Sequence, residues 1–117
     1  MHRTGDVLEA LERVVESRKR EPSTRSYTST LLAGGVAAIG AKVTEEAGEL
    51  VQAAASEGDD RVVSEAADLL YHTLVLLVSR GVPLAAVERE LGRRFGVSGL
   101  DEKAARRATG GTTGGAG

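Results

Sequence analysis

The chain has 117 residues, 41% hydrophobic and 27% charged, a length that suits one domain with a tail and excludes a two-domain enzyme. A net charge of −2, no cysteine and 3% aromatic residues argue against nucleic-acid partners, disulfides, thiolate zinc sites and base-stacking surfaces. No apolar run approaches the roughly 20 residues of a bilayer span and no secretory h-region follows Met1, so the expectation is a cytoplasmic protein without a membrane partner.

Asp6 with Glu9 resembles a helix N-cap and its reciprocal partner, and Val7, Leu8, Leu11, Val14 and Val15 repeat at helical spacing after it. Pro22 closes off that helix, and the polar, basic stretch 18–29 predicts a loop. A short turn over Leu31–Ala33 precedes a break at Gly34-Gly35, and a long second helix runs from about Val36 to Ser56. A third helix starts at an Asp cap (Asp59 or Asp60) and stops at Gly81. Pro83 suits the first turn of a fourth helix, which ends before Gly96. No stretch alternates as a strand does, so the fold class is all-α, a four-helix-type bundle subunit completed by dimerisation. The domain organisation expected is an all-α domain over 1–96, an extension over 97–107 and a Gly/Thr-rich flexible tail over 108–117.

The charge is unevenly placed. Residues 42–72 carry eight acidic and two basic side chains inside a nearly neutral chain. At about 100° per residue, Val36, Ile39, Val43, Ala47, Leu50 and Ala54 form one apolar stripe centred on Val43. Glu46 lies roughly 60° from its centre and Glu49 roughly 120°, with Lys42 between them and Glu45 farther out. The third helix is apolar nearly all round, as a helix buried on several sides must be. Its one polar strip is Arg61, Glu65, Asp68 and His72. Taken alone, E-E-x-x-E is also what a solvated helix face looks like. Glu65 and Asp68 on an apolar helix are harder to explain without a partner, because buried carboxylates need one.

A short loop around Gly58 makes the two helices antiparallel, so Glu46 and Glu49 can meet Glu65 and Asp68. Unpartnered like charges raise one another's pKa, and a divalent cation relieves them. All-oxygen ligands favour Mg²⁺, with Mn²⁺ as the alternative, and Mg²⁺ so held usually adds phosphate oxygens to its shell. A ferritin-like di-iron site wants Glu-x-x-His pairs instead.

At these residues the chain resembles the all-α nucleoside-triphosphate pyrophosphohydrolases. Within them it is most similar to the phosphoribosyl-ATP pyrophosphatase family of histidine biosynthesis. The resemblance rests on Ser26-Tyr27-Thr28-Ser29 with Leu31-Leu32, on the stretch from Lys42 to Glu49, and on the stretch from Glu65 to His72, and it spans roughly 7–95. Members often read K-K before the acidic motif where this chain has Ala41-Lys42. The resemblance implies Mg²⁺-dependent hydrolysis of phosphoribosyl-ATP to phosphoribosyl-AMP and pyrophosphate, the second step of histidine biosynthesis, by a homodimer. Relatives are often fused to a zinc-dependent cyclohydrolase; the length and the absence of cysteine here lead to the expectation of a stand-alone pyrophosphatase.

The expected metal ligands are Glu46, Glu49, Glu65 and Asp68. Glu45 is an outer ligand or the base that orients water. Lys42 meets a substrate phosphate or pairs with Glu46 or Glu49. Arg25, Ser26, Tyr27, Thr28 and Ser29 contact phosphate or ribose, or else form a capped, solvated loop. His72 orients a ligand or water, or is a satisfied interior histidine. Tyr71 is read as packing. Two other readings stay open: a housekeeping enzyme on another nucleotide such as dCTP or dUTP, and a helical dimerisation module without activity.

Overall fold

The computed structural model describes residues 4–96, which form four α-helices and no strand. They are α1 (Asp6–Arg20), α2 (Tyr27–Ser56), α3 (Asp59–Arg80) and α4 (Leu84–Phe95). The expected extension 97–107 and tail 108–117 lie outside the described residues. The chain divides into two compact units, one ending at Val82 and one beginning at Pro83.

In the first unit, α1 starts after Gly5, in the left-handed region at φ 99°, with Asp6 as its first helical residue rather than its cap. It then runs through Arg18–Arg20, residues expected in a loop. The reason is a tertiary contact: Lys19 Nζ donates to the Val78 carbonyl at 2.9 Å, a cation placed on the terminal carbonyls of α3. Val15 of α1 is fully buried in a core with Leu31, Ile39, Val75 and Val78.

The second helix begins nine residues earlier than its periodicity predicts. Ser26 is its N-cap, its hydroxyl accepting from the Ser29 amide at 3.1 Å, while Ser29 Oγ accepts from the Ser23 amide at 3.0 Å. The expected break at Gly34-Gly35 is a kink at one residue: Gly35 adopts φ 71°, ψ −167°, a conformation essentially confined to glycine. Gly34 supplies room instead, because a Cβ there would stand 2.6 Å from that of Ala38. Glu57 and Gly58 alone join α2 to α3, so the two helices fold back as an antiparallel hairpin. Gly58 is the cap of α3, with Asp59 and Asp60 in its first turn, where carboxylates favour the exposed amides.

Among the described residues, nothing covers α3 all round. Val63 is 69% and Leu70 52% exposed, seven residues apart on one face. By length and composition α3 is apolar enough to cross a membrane, yet Glu65 and His72 are buried among the folded residues. In the second unit, α4 ends at Gly96 with φ 68° and carries ion pairs from Glu90 to Arg93 and Arg94 at 2.6 and 2.8 Å.

Candidate functional site

The buried face of α2 is set by Ile39, Glu46 and Ala53, spaced by sevens. Seven residues of helix turn about −20°, so these three share one line and Glu46 is at its centre. The apolar stripe had put Glu46 at the margin because it counted Val36, which is in fact 61% exposed. On α3, Glu65 and His72 are likewise seven apart and buried.

The hairpin brings the two lines together. Glu46, Glu49 and Glu65 each offer a carboxylate oxygen, and these oxygens lie within 4.8 Å of one another. Glu46 is 6% and Glu65 4% exposed, while Glu49 opens to solvent. Glu46 Oε2 and Glu65 Oε1 are buried without a hydrogen-bond partner among the described residues. Burial pushes the Glu65 carboxyl above its ordinary value; the Arg61 guanidinium opposes this, and the Glu49 and Asp68 carboxylates add to it. Arg61 donates to Glu65 Oε2 and, at 3.2 Å, to Glu57 Oε1. Asp68 is exposed and stands apart from the group of three, acting on Glu65 through its charge.

Glu45 also lies outside the group. It pairs with Lys42 at 2.7 Å, and this contact holds its carboxyl below the ordinary range. The partner of Lys42 is therefore Glu45, three residues on, rather than Glu46 or Glu49.

A second cluster adjoins the acidic one. His72 Nδ1 is 2.9 Å from the Asp68 carbonyl oxygen and 3.8 Å from Glu46 Oε1. His72 Nε2 is 3.1 Å from the Tyr27 hydroxyl, and the Thr28 hydroxyl bonds to that of Tyr71. The rings of Tyr71 and His72 meet edge to face at 4.8 Å. Sequence reasoning treated Tyr71 as packing. Its helical neighbour His72 was a cue, but its partner Thr28 lies 43 residues away.

Of the other predicted contact residues, Ser26 and Ser29 are engaged in capping, and Arg25 is exposed. A cavity of about 320 Å³ beside the start of α2 is lined by Pro22, Ser23, Thr24, Ser29, Thr30 and Ala33, and by none of the acidic group.

A family described as phosphoribosyl-ATP pyrophosphohydrolase matches residues 8–95. The chain is 49% identical over 107 residues to the phosphoribosyl-ATP pyrophosphatase of Trichlorobacter lovleyi, covering 92% of this chain and 99% of that protein. It is 49% identical over 106 residues to the enzyme of that name from Paramagnetospirillum magneticum, covering 91% and 97%. With the one from Pyrobaculum calidifontis the identity is 52% over 89 residues, covering 76% and 95%.

Proposed function

Since the chain belongs to the phosphoribosyl-ATP pyrophosphohydrolase family, we propose that it hydrolyses phosphoribosyl-ATP to phosphoribosyl-AMP and pyrophosphate in the cytoplasm, as a step of histidine biosynthesis. The observation that carries the chemistry is the group Glu46, Glu49 and Glu65, with two buried oxygens that no donor among the described residues satisfies. Buried carboxylates without donors are the ligands a hard cation takes, and oxygen-only donors suit Mg²⁺ or Mn²⁺. These three residues would hold it, with Asp68 completing the set from the exposed side of α3. A cation so held supplies charge neutralisation for a polyphosphate and a template for its orientation.

The remaining tasks fall to the chain. Glu45, kept ionised by Lys42, accepts a hydrogen bond from the attacking water or serves as an outer ligand. Lys42 and Arg25 present cationic groups for the phosphates. Thr28 presents its hydroxyl beside the Tyr27–His72 pair, and Ser26 and Ser29 hold that segment in place by capping α2. The exposed apolar face of α3, at Val63 and Leu70, is covered by a second copy of the chain, because a soluble helix of this composition is stable only when packed on several sides.

The test is pyrophosphate release from phosphoribosyl-ATP with and without Mg²⁺, beside dCTP and dUTP. Metal-dependent release from phosphoribosyl-ATP alone is expected. Faster release from dCTP or dUTP assigns the chain to nucleotide housekeeping instead.

A further inference from the structure

His72 is buried, and both of its ring nitrogens are spoken for. The Asp68 carbonyl, 2.9 Å from Nδ1, can only accept, so Nδ1 carries the proton. In the neutral ring Nε2 then has only a lone pair, and the Tyr27 hydroxyl at 3.1 Å donates to it. Tyr27 is the first residue of α2 and lies 45 residues from His72 in the chain. The ring plane is fixed as well: Tyr71 meets it at 4.8 Å and 69°, and Tyr27 at 6.0 Å and 89°. On the far side of the imidazole, Glu46 Oε1 is 3.8 Å from Nδ1. That is too long for a hydrogen bond but well within reach of the N–H dipole, whose positive end favours a carboxylate oxygen. The other oxygen of Glu46, Oε2, is buried without a hydrogen-bond partner among the described residues.

From this arrangement we infer that Tyr27 is a positioning residue: its hydroxyl anchors Nε2 of His72, whose Nδ1–H form the Asp68 carbonyl sets, and so holds the imidazole beside Glu46 Oε1. The opposite tautomer would set a bare Nδ1 against two oxygens, the Asp68 carbonyl and Glu46 Oε1. The inference deepens the proposed function, since it rests on Glu46 belonging to the reaction centre. It gives Tyr27 a role through His72 rather than a contact with substrate.

Tyr27→Phe keeps the ring and removes the hydroxyl. Nitrogen NMR of the metal-free protein reads the relay without turnover: in the wild type His72 Nδ1 is protonated and Nε2 is a hydrogen-bonded acceptor. In the variant the Nε2 resonance moves downfield, toward that of an unbonded imidazole nitrogen, and the Glu46 carboxyl carbon shifts with it. Loss of an outer hydrogen-bond partner of this kind costs about 10-fold or more in activity. A fall of about tenfold in kcat is therefore expected, with KM for phosphoribosyl-ATP within about twofold and the far-UV melting curve retained. A raised KM with unchanged kcat overturns the inference, because the hydroxyl would then bind substrate directly. Unchanged His72 nitrogen or Glu46 carbon resonances overturn it too, whatever the kinetics. A wild-type protein inert towards phosphoribosyl-ATP fails the proposed reaction instead, and the metal-free spectra still decide the relay.

Discussion

Glu46→Gln separates the stability of the fold from the purpose of the site. The substitution keeps the shape of the side chain, removes its formal charge and adds an amide donor. Glu46 is almost fully buried, its Oε2 has no partner, and oxygens of Glu49 and Glu65 lie within 4.8 Å of one of its own. A buried polar atom left unsatisfied costs about 1–3 kcal/mol, and an amide facing carboxylates recovers an interaction of that size. The metal-free variant should therefore be more stable than the wild type by about 1–3 kcal/mol. For a domain of this size each kcal/mol moves Tm by about 4–8 °C. Saturating Mg²⁺ reverses the order. A cation at a hundred times its Kd adds about 2.7 kcal/mol to a protein that binds only when folded, and the variant, short of one ligand, gains far less. Thermal melts in EDTA and in saturating MgCl₂, followed by far-UV circular dichroism, measure both effects. A variant that melts below the wild type in EDTA, while keeping the full Mg²⁺-induced rise, refutes the reasoning.

Glu65 makes stability depend on pH in the sense opposite to a salt-bridged carboxylate. Its folded pKa is raised by burial from the ordinary 4.5, so the folded protein holds a proton that the unfolded chain has released. Stability of the metal-free protein therefore falls as pH rises from about 4.5 through the raised value, and urea melts across that window should lose this slope in Glu65→Gln. Gly35→Ala forces a side chain into φ 71°, ψ −167° and should cost about 1–3 kcal/mol in urea unfolding, unless the kink relaxes. Leu70→Glu places a charge on the exposed apolar face of α3; sedimentation should show a shift from dimer to monomer, with a parallel loss of pyrophosphate release.

How far the sequence reaches is clearest at the ends of helices. The stops at Gly81 and Gly96 were legible because a glycine in the left-handed region ends a helix by local sterics alone, and both residues adopt it. The end of α1 was not. Residues 18–20 look like a basic loop until Lys19 is seen on the Val78 carbonyl, 59 residues away. The start of α2 lay between these cases. Ser26 and Ser29 have cap spacing, but without an apolar period behind them they resemble any polar loop.

The candidate site divides the same way. That Glu46, Glu49 and Glu65 would meet followed from helical spacing and a two-residue connection, both local properties. Where the buried line of α2 ran did not, because a wheel weights every apolar residue equally and the fold does not. Val36 and Ala54 are left exposed, while the carboxylate of Glu46 takes a core position that its chemistry alone would forbid. The histidine–tyrosine cluster was beyond local reasoning altogether, since it requires the first turn of α2 to fold back against the middle of α3. These two departures share a cause. Evolved packing has spent core positions on Glu46, Glu65 and His72, three groups that lower the stability of the metal-free fold or must be satisfied with care. Glu46 and Glu65 break the sequence rules at oxygens that no donor among the described residues satisfies, whereas His72 is satisfied by the Asp68 carbonyl and the Tyr27 hydroxyl.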